Sequence, residues 1–114
     1  MSKSNNQSLF LQELKEKVIN LYKAGDLEEL VALTEPLIEQ FPRELMLYDV
    51  IGAANMGLGN IKKSIVSFEK SLQINPNHAE AYNNLGWAKH ISGASEEAID
   101  NYDDALKINA NFAE

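Results

Sequence analysis

The chain has 114 residues, which suits one domain and is too short for two that fold independently. Seventeen acidic against ten basic residues give a net charge of −7, which argues against a binder of nucleic-acid phosphates, and the absence of cysteine excludes disulfide scaffolds, thiol chemistry and cysteine-ligated metals. With 45% hydrophobic and 24% charged residues, no apolar run near the roughly 20 residues of a membrane helix and a polar start at residues 1–8, the expectation is a globular protein of the cytoplasm that neither crosses a membrane nor binds one.

Residues 1–8 are expected to be disordered or frayed. Beyond them the chain repeats itself every 34 residues: Gly25, Gly59 and Gly93 are in step, as are Pro42 and Pro76, with Ala110 at the next step. Tyr48 recurs as Tyr82, Ile51-Gly52 as Leu85-Gly86, Phe68 as Tyr102, and Val31 as Ile65 and Ile99. The period marks units at 11–44, 45–78 and 79–112, the first opening with an apolar stretch from residue 9, so that its segment is 9–44. Asn109-Ala-Asn-Phe-Ala-Glu114 echoes Asn75-Pro-Asn-His-Ala-Glu80, and residues 113–114 therefore read as the start of a fourth unit.

Within the units the apolar residues return at helical spacing, as at Ala81, Tyr82, Leu85, Ala88 and Ile91. In chain order the pattern predicts helices near 9–23, 27–40, 45–57, 61–74, 78–91 and 95–108. The glycines fall where each first helix ends, since glycine takes the left-handed C-cap conformation at little cost. Pro42 and Pro76 stop the second helices. Pro36 lies inside the second helix and is expected to kink it by removing the bond to the Ala32 carbonyl. Ser95 reads as an N-cap, with Glu96 and Glu97 in the first turn facing the positive end of the helix dipole.

A 34-residue helix–turn–helix unit with these residues resembles the tetratricopeptide repeat, whose signature is aromatic-x2-Leu-Gly-x2-Tyr, then Ala-x3-aromatic, Ala and Pro. Unit three supplies Tyr82, Leu85, Gly86, Ala98, Tyr102 and Ala105, with Lys89 in place of the tyrosine and Ala110 in place of the proline. Unit two supplies Tyr48, Ile51, Gly52, Phe68 and Pro76, with Ser64 and Ser71 in the alanine places. Unit one diverges, carrying Leu14, Lys17, Val18, Leu30, Thr34 and Leu37 there, and only Pro42 matches. The resemblance implies an all-α, right-handed solenoid of three repeats and six helices. Gly52 and Gly86 would let the second helix of a unit approach the first, and Phe68 and Tyr102 would fill the space between units.

Catalytic arrangements are scarce. His78 and His90 stand about three turns apart on one helix, outside any metal-binding spacing. Gly57-Leu58-Gly59-Asn60 lacks the preceding strand of a phosphate loop. The acids Glu96, Glu97, Asp100, Asp103 and Asp104 read as a solvated helix face rather than a cation loop. The expectation is a protein without catalytic residues, metal or cofactor.

In stacked two-helix repeats the first helices line a concave groove. By analogy with the family, the groove positions include Ile19 and Tyr22 in unit one, Met46, Asp49, Val50 and Met56 in unit two, and Asn83, Asn84, Trp87 and His90 in unit three. A groove of methionine and aromatic side chains suits an apolar or amphipathic segment of a partner protein. Some members of the family clamp the C-terminal carboxylate of heat-shock chaperones. The clamp positions here hold Lys15, Ile19, Val50, Glu80 and Asn84, of which only Lys15 matches, so that partner is not expected.

Units one and three each carry a net −4 and unit two +1, a balance that favours basic partners and disfavours nucleic acid. A final helix with no unit behind it would leave Ile99, Tyr102, Leu106 and Ile108 uncovered and lead to self-association through the C-terminal end. The sequence thus reads as a protein-interaction module, with an N-terminal array of a larger glycosyl-, sulfo- or methyltransferase and a self-assembling scaffold as alternatives.

Overall fold

The computed structural model describes residues 3–113, with side chains over 7–110. It contains α1 (Lys3–Ala24), α2 (Leu27–Gln40), α3 (Leu45–Gly57), α4 (Ile61–Ile74), α5 (Ala79–Ile91) and α6 (Ser95–Ala113). Successive helices pack antiparallel in pairs, and the first helices of neighbouring units also touch, α1 against α3 and α3 against α5. The result is a right-handed solenoid measuring 49 × 35 × 22 Å.

The turns inside the units share one backbone solution. Gly25, Gly59 and Gly93 adopt φ of 78°, 84° and 96°, the left-handed region where a Cβ is strained. Each glycine N–H returns to the carbonyl three residues back, and the next N–H (Asp26, Asn60, Ala94) reaches the carbonyl five back at 2.8–3.0 Å. This double bond closes the end of a helix and leaves few carbonyls unsatisfied. Between units the closure is looser: Phe41 and Asn75 donate to Leu37 and Ser71 at 2.8 and 2.9 Å, and the Tyr48 hydroxyl donates to the Pro42 carbonyl at 2.8 Å.

The four inner helices begin and end within a residue of their expected bounds, and the outer ends differ. Helix α1 starts at Lys3 rather than near residue 9, because nothing between Lys3 and Ala24 breaks a helix. Helix α6 continues to Ala113, across residues expected to open a fourth unit; Ala110, the best helix former, replaces the proline that stops α4. Residues 1–2 of the expected frayed segment, and Glu114 of the expected fourth unit, lie outside the described residues. Ser95 is the first helical residue, and the N-cap is Ala94, whose carbonyl accepts from Ala98 N–H at 3.0 Å. Helix α2 runs through Pro36 as one element.

The core is a chain of contacts rather than one central mass. Val18, Leu30, Leu37, Leu47 and Ala54 form a buried cluster joining units one and two. Phe68 is fully buried against Gly52, where a Cβ would lie 2.7 Å from ring carbon Cε1. Tyr102 sits the same way on Gly86, at 2.9 Å from the Cβ position, but is only half-buried. Each aromatic thus rests on the glycine of its own unit, and what differs is the cover supplied by the unit beyond. In unit one the equivalent residue is Thr34, buried with its hydroxyl donating to the Leu30 carbonyl at 2.7 Å.

Candidate functional site

Helices α1, α3 and α5 lie side by side and carry the positions expected to line the groove. Ile19 and Tyr22 on α1 are exposed, as are Asn83, Trp87 and His90 on α5. The α3 residues between them, Met46, Val50 and Met56, are half-buried, and Met46 and Val50 pack on the core cluster. Asn84 is half-buried. Exposure falls in the middle because α3 has a helix on each side while α1 and α5 each have one.

Trp87 is 51% exposed, a large apolar area on the surface of a helix. His90 follows one turn later, with ring centroids 6.0 Å apart and planes tilted by 32°. The two neighbouring rings, tilted rather than stacked, give α5 an exposed aromatic patch with polar ring edges.

A polar linkage joins the units beside these residues. Asp49 on α3 accepts from the Ser71 hydroxyl of α4 at 2.6 Å through Oδ1 and faces His78 Nε2 at 2.7 Å through Oδ2. Asp, Ser and His are the residue types of a hydrolase triad, but the hydroxyl is bonded to the carboxylate, not to the imidazole, and Ser71 is fully buried. The geometry holds α3, α4 and the start of α5 together and presents no nucleophile. From sequence, Asp49 reads only as a groove position, Ser71 as a small residue of the repeat signature and His78 as one of two histidines outside any metal-binding spacing; their separations do not follow the 34-residue period, and no signal in the sequence links them.

Lys15, the single match to the carboxylate clamp, is paired with Glu44 at 2.7 Å. Its charge is already matched, which weakens that position as an anion anchor. Among the described residues no three His, Asp or Glu side chains gather as a metal site, and no helix is long and apolar enough to cross a membrane.

Exposed apolar residues also occur where no groove was expected. Val66 on α4 lies beside Lys62 and Lys63 in a cleft completed by Glu35, Ile51 and Asn55. Its equivalent 34 residues on is Asp100, and this break in the period is the available clue. At the C-terminal end Ile99 and Leu106 are exposed, while Tyr102 and Ile108 are half-buried.

Comparison with known proteins agrees with this geometry. The family model of the tetratricopeptide repeat matches residues 43–111. No curated protein matches the sequence. Among solved structures, a MamA crystal structure superposes with a TM-score of 0.80 at 21% identity, over 84% of this chain and 56% of its own. MamA residues 41 to the end from Desulfovibrio magneticus RS-1 give 0.82 at 16% identity, over 86% and 55%. A point mutant of MamA gives 0.81 at 20% identity, over 85% and 71%. In the first two cases this chain spans little more than half of the matching chain, and at these identities the likeness establishes the fold. With three units in one 34-residue register and a family match over units two and three, the chain belongs to the tetratricopeptide repeat family.

Proposed function

We propose that this chain is a non-catalytic protein-interaction module that holds an apolar or amphipathic segment of a partner protein along α1, α3 and α5. The tetratricopeptide architecture suits binding of proteins or peptides. The observation that carries the reading is Trp87, a half-exposed tryptophan beside the His90 ring at one end of a surface whose other end offers Ile19 and Tyr22. Aromatic anchors of this kind dominate binding energy at protein interfaces. Half-buried Met46, Val50 and Met56 form an apolar floor between them, and methionine adapts its shape to different partners.

The test is affinity capture from a cell extract on the immobilised chain, with Trp87→Ala and Tyr22→Ala chains in parallel and identification by mass spectrometry. Proteins retained by the wild type and lost on both variants are the expected result. Their binding segments are then mapped by titration against Trp87 emission. An identical set retained by all three chains would refute the groove.

A further inference from the structure

The first turn of the second helix differs between the units. Glu28 and Glu29 open α2, and Glu96 and Glu97 open α6, acids that suit the positive end of a helix dipole. In α4 the same positions hold Lys62 and Lys63, and that turn has no acid. Two positive charges there oppose the dipole and cost α4 stability that glutamates would supply. Residues that break a local rule without a gain in the fold mark places shaped by function.

The cleft beside these lysines holds about 350 Å³, with Lys62, Lys63 and the 56%-exposed Val66 supplied by α4 and Glu35 by α2. It is also lined by Asn55, which is 3% exposed and stands where the repeat signature has tyrosine. The Asn55 Oδ1 accepts from Asn60 Nδ2 at 3.3 Å, while its own Nδ2 has no acceptor among the described residues. A nearly buried donor is thus left unpaired beside an open cleft. Unit three shows how the same place is satisfied. Its equivalents of Asn55 and Lys63 are Lys89 and Glu97, which pair at 3.6 Å. Unit two has nitrogen donors at both positions and no carboxylate to match them.

Further along α4, Lys70 lines a second cleft with Arg43, Tyr48 and Ile74. Lys63, Ser67, Lys70 and Ile74 follow at helical spacing, so both clefts open on one side of α4. Among the described residues Lys62, Lys63, Lys70 and Arg43 enter no ion pair, in contrast to Lys15 and Lys89. Glu69, the acid of α4, lines neither cleft. Lys63 and Lys70 stand two turns apart, about 10 Å along the axis. An extended chain spans that distance in about three residues.

We infer that this side of α4 binds an extended acidic segment of a partner protein, with two carboxylates three residues apart and an aliphatic side chain between them. The first carboxylate accepts from Asn55 Nδ2 and pairs with Lys62 and Lys63. The aliphatic side chain lies on Val66, and the second carboxylate meets Lys70 and Arg43. Glu35 opposes the first carboxylate and is outnumbered by the two lysines. Exposed Val66 between two cationic ends favours a chain segment over a lone anion. The site shares no residue with the proposed groove and does not depend on it.

The probes are three short synthetic peptides built on Glu-Leu-Gly-Glu, Gln-Leu-Gly-Gln and Glu-Ser-Gly-Glu. Each is titrated into the isotope-labelled full chain and followed by amide NMR shifts, with inorganic phosphate as the small-anion control. The first peptide is expected to move the Asn55 side-chain amide and the Val66 backbone amide. It should bind about tenfold or more tightly than the glutamine peptide, a margin that shrinks as salt rises. The serine peptide should bind more weakly than the leucine one. Lys62→Glu with Lys63→Glu gives α4 the first turn of α2 and α6, so it should abolish binding while raising the melting temperature. Glu35→Gln should tighten binding, and Trp87→Ala should leave it unchanged. No binding of any peptide, equal binding of the glutamate and glutamine peptides, or binding that survives the paired lysine change would overturn the inference. So would phosphate acting as strongly as the first peptide, which would make a free anion the ligand. A concentration-dependent dimer in sedimentation that the paired lysine change dissolves would overturn it too, with the acidic α6 of a second copy as the occupant.

Discussion

Gly52 has no room for a side chain because Phe68 occupies it: a Cβ on Gly52 would stand 2.7 Å from Cε1 and 2.9 Å from Cζ of the ring. Gly86 and Tyr102 repeat the contact one unit later, with the Cβ position 2.9 Å from the ring. The two sites differ in what surrounds the ring. Phe68 is fully buried, with no space to yield into, while half-buried Tyr102 has solvent on one side.

Gly52→Ala is therefore expected to cost more than Gly86→Ala, the former near the upper end of the ~1–3 kcal/mol seen for overpacked cores. Gly86→Leu exceeds what Tyr102 can yield and should be strongly destabilising, whereas Leu at exposed Asn83 should be tolerated. Urea denaturation of the four variants checks the order. Equal tolerance of Gly86→Leu and Asn83→Leu would be incompatible with the register.

Asp49 accepts the hydrogen bond of the fully buried Ser71 hydroxyl and also faces His78. Asp49→Ala should cost about 1–3 kcal/mol, because a buried donor is left without its partner. Adding Ser71→Ala removes that donor, so the double variant should be less destabilised than the sum of the single ones. Strict additivity in thermal melts would show that the two side chains do not act as a unit.

Most of the fold was legible because it is written three times. A glycine every 34 residues with positive φ, and an aromatic facing each inner glycine, leave a periodic trace that needs no tertiary knowledge. The outer ends were less legible. Whether a helix continues past Ile108 depends on alanine standing where proline stood, a matter of local preference without a stop signal. The positions proposed for a groove follow from their place in the repeat, yet how far Met46 and Val50 sink toward the core depends on α1 and α5 flanking them, which periodicity does not encode. The Asp49–Ser71–His78 linkage was hidden because each residue has an ordinary role alone, and their significance lies in side-chain geometry across three helices.

The turn glycines offer a sharper test of backbone than of packing. A Cβ added at Gly25, Gly59 or Gly93 meets no atom within 4 Å, so any loss on substitution comes from φ alone. Gly59→Ala should cost roughly 1–2 kcal/mol, the penalty for a left-handed residue with a side chain. Gly59→Asn should cost less, because asparagine tolerates that region. If the alanine and asparagine variants unfold together, the strain is not conformational.

Trp87 separates stability from binding. Full burial of a large apolar side chain contributes ~1.5–3 kcal/mol, so a ring that is 51% exposed should contribute about half of that. Trp87→Ala is thus expected to lower stability by about 1 kcal/mol, while Phe68→Ala at the fully buried site should cost about 3–5 kcal/mol. Being the single tryptophan, its fluorescence reports one site, and emission should be readily quenched by acrylamide. A ligand seated on the Trp87 ring should protect it from quenching, and Trp87→Ala should weaken that ligand by more than about 1 kcal/mol, as loss of an interface anchor does. A tryptophan that resists quenching in the free chain, together with a stability loss matching that of Phe68→Ala, would place the ring in the core and remove the principal anchor of the proposed groove.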